Sequence, residues 1–224
     1  IYRQGTLGGS ERLSSPATVI VAKPSTSPSS NVQGTADLKT AAISQDAPAF
    51  PLPTDYGVYA VNNDKLSELN LLPEQVPDKR IAMSTPINQP SQTTLPDGKV
   101  KFVVFRRDLA GSAPDRIDVR VVARVVRALT FDGKGKASFV PVTDAWNIRN
   151  QSYEFRVRPL PGNPEMLVMQ AVKSDFTLPA GRYVLALKNQ GYDFTVAGKV
   201  TDPSQCLERT DAANGAFYSD CQKQ

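Results

Sequence analysis

Hydrophobic and polar residues alternate most regularly in residues 176–198, in two runs separated by a short polar segment. Each run places a large apolar side chain at every second position, which is the period of a β-strand with one buried side. The pattern predicts a hairpin that turns at residues 188–191, where Gly191 can adopt a positive φ. We expect Leu187 to pair with Tyr192, which gives a buried side made of Tyr183, Leu185, Leu187, Tyr192, Phe194 and Val196.

The segment that leads into this hairpin has the sequence LPAGRY. Its Gly-x-Tyr-x-Leu spacing, from Gly181 through Tyr183 to Leu185, resembles the tyrosine corner of immunoglobulin-like Greek-key sandwiches. Pro179 stands where that family often has an acidic residue. The resemblance implies a fold class, and it implies no functional residue because the corner is a structural device.

Further apolar runs predict strands over residues 56–61, 65–69, 100–105, 147–160 and 166–172. Residues 116–129 fit either a strand or a helix, and their valines favour the strand because branching at Cβ restricts χ1 in helices. About eight or nine predicted strands, separated by turns rich in proline and glycine, indicate an all-β protein. We expect an antiparallel β-sandwich of the immunoglobulin-like or Greek-key type.

Composition divides the chain into three parts. Residues 1–52 are rich in Ser, Thr, Pro and Gly and predict an extended arm or linker; residues 53–200 form the sandwich, and residues 201–224 a tail. A flexible linker from an upstream membrane anchor is one interpretation of the arm. The other is an arm that adds an edge strand to a partner protein, through Val19, Ile20 and Val21.

The only two cysteines, Cys206 and Cys221, lie close together near the end of the sequence. Their even number and their spacing predict a disulfide that closes the tail, whereas two buried free thiols are the alternative in a cytosolic protein. A disulfide indicates an oxidising compartment, so we expect the protein to be exported to the periplasm or the cell exterior. The sequence has no run of apolar residues long enough for a transmembrane helix.

The sequence contains no histidine. This absence excludes Ser-His-Asp and Cys-His nucleophilic sites, and metal sites that use imidazole. Two cysteines are too few for a four-thiolate site. We therefore predict no catalytic, cofactor-binding or metal-binding residue. A net charge of +4, without basic motifs interleaved with aromatic residues, also argues against nucleic acid as a partner.

Arginines occupy the polar positions of two predicted strands, with Arg116, Arg120 and Arg124 on one and Arg156 and Arg158 on the other. If these strands are neighbours, the guanidinium groups share a surface that could bind carboxylate, phosphate or an acidic protein patch. An ordinary solvated surface, balanced by acids such as Asp118 and Glu154, is the alternative. We expect partner binding at Arg120, Arg124, Arg156 and Arg158.

These observations predict a non-catalytic, exported module that binds other proteins, as a component of a cell-envelope or surface assembly. A carbohydrate-binding sandwich is the alternative, for which the aromatic candidates are Trp146, Tyr153, Tyr192 and Tyr218. A glycoside hydrolase is a further alternative and needs two opposed carboxylates. Its candidate carboxylates are Asp108, Asp115, Asp118, Asp144 and Glu154.

Overall fold

The computed structural model describes residues 49–84 and 86–221, which form thirteen β-strands and two short 3₁₀ helices. These residues contain no α-helix, which confirms the all-β prediction and the strand interpretation of residues 116–129. Within the same ranges, no helix has the length and hydropathy needed to cross a lipid bilayer. The strands are β1 (Gly57–Asn62), β2 (Lys65–Glu68), β3 (Asn70–Leu71), β4 (Thr94–Leu95), β5 (Lys101–Phe105), β6 (Arg116–Phe131), β7 (Ala137–Pro141), β8 (Trp146–Leu160), β9 (Asn163–Ala171), β10 (Gly181–Leu187), β11 (Gln190–Val196), β12 (Cys206–Ala212) and β13 (Gly215–Asp220).

The strands form one sheet in the order β2-β1-β5-β9-β8-β6-β10-β11-β3, and every neighbouring pair on this path is antiparallel. Its two ends belong to one stretch of chain, because only Leu69 separates β2 from β3. That stretch pairs with β1 at its beginning and with β11 at its end, so the sheet nearly closes into a barrel. The predicted immunoglobulin-like sandwich of two sheets is not confirmed.

The inside of this curved sheet is filled by apolar side chains from alternate positions of the strands. Phe102 lies in the middle, with its ring centroid 5.3 Å from that of Phe155 and 5.4 Å from that of Phe194. Leu69, between the two ends of the sheet, is buried in the same cluster. The interior is therefore a packed core of apolar side chains.

The hairpin of β10 and β11 is confirmed, but its predicted register is wrong by two residues. Tyr192 pairs with Leu185 and Phe194 with Tyr183, and the turn takes its positive φ at Lys188. A shift of two keeps every side chain on its predicted side, so the buried set is unchanged. Gly191 serves packing, because a Cβ there would lie 2.8 Å from methyl groups of Val184 and Val76.

The tyrosine corner is present as a local device. The Tyr183 hydroxyl donates a hydrogen bond to the carbonyl oxygen of Pro179 at 2.9 Å, four residues upstream. This bond fixes the entry of the chain into β10. The corner thus occurs here in a sheet that curves towards closure.

The long strand β6 joins two parts of the molecule. Its first half belongs to the barrel, and its second half pairs with β7 and with β12, which in turn pairs with β13. We call this four-stranded region, residues 125–142 and 206–221, the lobe. The predicted disulfide is confirmed: Cys206 and Cys221, with Cα atoms 5.5 Å apart, tie the open end of the β12–β13 hairpin. The two strands of this tail were not predicted from the sequence.

Candidate functional site

The structure divides the four predicted partner-binding arginines among three places. Arg120 is buried, with 1% of its surface exposed, so its predicted position on the solvated surface is wrong. Arg124 is exposed at the start of the lobe, in a groove beside Trp146 and Val126. Arg156 and Arg158 are both exposed on β8. Only these last two form a pair on one surface.

A bulge in β8 and the segment of residues 75–79 together bury Arg120. The pairing of β6 with β8 shifts between Arg120 and Val122, which leaves residues 149–151 of β8 outside the regular ladder. The carbonyl oxygen of Arg149 accepts a hydrogen bond from Arg120 Nε at 2.6 Å, and Pro77 O accepts one from Nη1 at 2.5 Å. No alternation rule could have predicted this, because the extra residues interrupt the period of two.

The side chains of Arg156 and Arg158 make no hydrogen bond or ion pair with any described residue. Arg156 pairs directly with Arg116 of β6 on one side and with Gln170 of β9 on the other. Arg116 forms an ion pair with Glu154, so the nearest carboxylate on this surface is already engaged. Two like charges directly opposite each other weaken a sheet, and here only one of them has a counter-ion.

The two free arginines border a groove of about 450 Å³ on the outer side of β8 and β9. Its apolar lining consists of buried and half-exposed side chains, namely Phe50, Leu160, Val168 and Val172. Phe50 packs against the cluster of Leu160, Met166 and Val168, and its ring lies 5.7 Å from Nζ of Lys101. The groove therefore combines an apolar floor with a cationic border, and we call it the arginine groove.

A second exposed surface was missed by the sequence analysis. Phe131, Phe139 and Phe217 are 52%, 55% and 54% exposed, and all three lie in the lobe. The register places Phe139 opposite Leu129, Leu129 opposite Thr210, and Thr210 opposite Phe217, so these side chains share one side of the four strands. The sequence offered no clear signal for this surface, because β7 (ASFVP) and β13 (GAFYSD) are short and neither alternates regularly between apolar and polar residues. Exposed aromatic clusters of this kind are typical of contact surfaces.

The aromatic residues proposed for carbohydrate binding do not form an exposed row. Tyr192 is buried, and Trp146, Tyr153 and Tyr218 are half-buried. Tyr153 stacks against Phe176 and Tyr183, with ring centroids 5.2 and 6.1 Å apart, and burial raises its pKa. These side chains give the carbohydrate hypothesis no support.

Of the carboxylates considered for glycoside hydrolysis, Asp108, Asp118 and Glu154 each form an ion pair with a different basic residue. Asp108 accepts two hydrogen bonds from Arg106, which lower its pKa, and Asp118 pairs with Lys79 at 2.6 Å. A general acid needs a raised pKa. Three carboxyl groups in the described ranges have shifted pKa values, those of Asp78, Asp97 and Asp108, and all three pKa values are lowered because hydrogen bonds favour the ionised forms.

The described residues contain no group of three or more acidic or cysteine side chains placed to hold a metal ion.

Val19, Ile20 and Val21, proposed for strand addition, lie outside the described residues, as does most of the predicted arm.

Comparison with protein-family models, with curated proteins and with solved structures finds no match. The surfaces described above are therefore the basis for proposing a function.

Proposed function

We propose that this chain is a non-catalytic protein-binding module that holds an acidic, extended segment of a partner in the arginine groove. The observation that carries the proposal is the pair of exposed arginines without counter-ions, Arg156 and Arg158, beside an apolar floor. Arginine binds carboxylates through two parallel hydrogen bonds, and apolar contacts add affinity that salt does not screen.

The spacing of the two arginines specifies the partner further. They are two positions apart on β8, which separates their Cα atoms by about 7 Å along the strand. Alternate side chains of another extended chain have the same separation. The preferred segment therefore has carboxylates at two alternate positions, with an apolar side chain nearby for Phe50 and Val172.

The disulfide supports an oxidising compartment. In this proposal the module works in the periplasm or outside the cell, as a component of an envelope or surface assembly. Strand addition by Val19, Ile20 and Val21 stays a prediction, and the aromatic surface of the lobe is available for a second protein contact. Neither is needed for recognition in the arginine groove.

A peptide-display selection against the oxidised protein tests the proposal. We expect enrichment of peptides with Asp or Glu at alternate positions and weakening of their binding by salt. Arg156→Glu combined with Arg158→Glu should abolish binding. Lys65→Glu combined with Lys199→Glu is the matched control, because both lysines are exposed and the net charge changes equally. Peptides without acidic enrichment, or equal binding by both double variants, would contradict the proposal.

A further inference from the structure

Arg120 is a buried cation with an incomplete set of hydrogen bonds. Its Nε and Nη1 atoms donate to the carbonyl oxygens of Arg149 and Pro77, whereas Nη2 is buried and has no partner. Both acceptors are neutral. The charge of the guanidinium is therefore held in the protein without a carboxylate in contact with it.

Two carboxylates, Asp118 and Asp78, attract Arg120 electrostatically, but each one is already paired with another basic residue. Asp118 forms an ion pair with Lys79 and accepts a hydrogen bond from the Ser152 hydroxyl at 3.0 Å. Asp78 accepts hydrogen bonds from the side chain of Arg80 at 3.0 and 3.1 Å. Both act on Arg120 only through longer-range attraction, and burial lowers the pKa of Arg120 more than these two acids raise it. A buried cation without a contacting anion is costly, so an anion from outside would stabilise it.

Arg120 lines a groove of about 550 Å³ between residues 75–79, the start of β6 and the turn after β10. The lining carries four cations and two carboxylates, which are Lys79, Arg116, Arg120, Lys188, Asp78 and Asp118. Three of these cations already contact a carboxylate, since Lys79 pairs with Asp118, Arg116 with Glu154 and Lys188 with Asp108. Among the described residues, Arg120 is the one cation lining this groove that has no carboxylate in contact with it. We call this groove the Arg120 groove; it is distinct from the arginine groove on β8 and β9.

We propose that the Arg120 groove binds an oxyanion, a carboxylate or phosphate group, that accepts a hydrogen bond from Nη2 of Arg120. The ligand is a small anionic molecule, or an anionic group at the end of a larger one, because Arg120 is almost fully buried where it lines the groove. This site is independent of the acidic segment proposed for Arg156 and Arg158.

Titration with phosphate and with acetate, each at constant ionic strength set with chloride, tests the site. The readouts are the thermal unfolding midpoint and the ¹⁵N–Hε signals of the arginine side chains. We expect the midpoint to rise and the Arg120 signal to shift, while the signal of the buried Arg182 stays constant. A response to phosphate alone would mean that the site requires a phosphate group. A response to both anions would mean that a carboxylate is enough for binding. A response to neither overturns the proposal.

Arg120→Met should weaken phosphate binding about tenfold or more, the usual effect of removing a hydrogen bond between charged groups. Arg124→Met is the matched control, since Arg124 is exposed on the same strand and should leave the response unchanged. The Arg156→Glu and Arg158→Glu double variant should also keep it, which separates this site from the proposed protein-binding groove. Equal phosphate binding by the Arg120→Met variant and the wild type would refute the assignment, and the wild-type Arg120 signal provides a test that needs no variant.

Discussion

Two buried arginines lie on the outer side of the same strand pair, and they are compensated in opposite ways. Arg182 of β10 forms two hydrogen bonds of 2.9 Å with Asp193 of β11, and both side chains are at most 6% exposed. Its guanidinium also lies 4.7 Å from the ring of Trp146. Arg120 of β6, opposite Val184, has two carbonyl oxygens and no carboxylate.

The difference comes from the neighbouring strand. β11 runs beside β10 in regular register and presents Asp193 to Arg182, so the charge of Arg182 is balanced within the sheet, while its Nη1 atom is buried without a hydrogen-bond partner. β8 runs beside β6 with a bulge, which turns the Arg149 carbonyl towards Arg120. A cation paired with a carboxylate needs no further counter-ion, whereas a cation held by neutral dipoles can still accept an anion. The comparison separates a structural arginine from a candidate binding one.

The largest effect is expected from breaking the complete pair. Arg182→Met leaves Asp193 buried without its cation, which should lower the free energy of unfolding by about 3–5 kcal/mol. Urea-induced unfolding measures the change. The double variant Arg182→Met and Asp193→Leu should recover most of it, because neither charge is then left alone.

Arg120→Met is the matched comparison for that measurement. It leaves two carbonyl oxygens without a donor but no carboxylate without a cation, so the loss should be clearly smaller. If both single variants lost the same stability, Arg120 would have to be compensated as fully as Arg182. The contrast between the two sites would then be wrong.

A somewhat smaller effect is expected from removing the disulfide. Cys206→Ser combined with Cys221→Ser opens a link between residues 15 positions apart. The chain-entropy model gives a loss of about 3 kcal/mol for a loop of this size. Gln205, next to Cys206, accepts a hydrogen bond from the backbone N–H of Arg182 at 3.1 Å. Amide exchange should therefore accelerate more at Arg182 than at Arg120, and the opposite order would contradict the link between tail and ion pair.

The smallest effect is expected at Asp78, which lines the same groove as Arg120, and it concerns stability at acidic pH. Hydrogen bonds from Arg80 favour ionised Asp78 and lower its pKa. Its stabilising contribution is therefore present above the ordinary aspartate pKa of about 3.9 and is lost as the pH falls through the lower folded value. Asp78→Asn should make stability slightly less dependent on pH in this acidic range. Urea unfolding midpoints of the variant and the wild type at neutral pH and at about pH 3 measure this dependence. If the midpoint falls equally in both proteins between the two pH values, Asp78 does not have the proposed role.

Much of the fold could be predicted because burial on one side of a strand has a simple period. The β10–β11 hairpin, the strand of residues 116–129 and the disulfide all follow from local patterns. The closure of the sheet could not be predicted, since it depends on Leu69 lying between strands that pair at opposite ends. The lobe was missed because β7 and β13 are short and their apolar residues are exposed.

The candidate sites were predicted less well than the fold. Arg156 and Arg158 were correctly placed together on a surface, because β8 alternates regularly there. The same rule failed for Arg120, since the residues that bury it lie in the bulge of β8 and in the segment of residues 75–79. Whether a charged residue has a counter-ion depends on partners far away in the sequence, and alternation contains no such information.

The sequence by itself determined the all-β class, the positions of eight of the thirteen described strands, the closed tail and the absence of histidine chemistry, because these depend on neighbouring residues and on composition. The tertiary structure alone decided that the sheet curves towards closure, which arginines keep a free charge, and where apolar side chains stay exposed. These features arise from pairing between distant strands, whose register and bulges set the distances between charges.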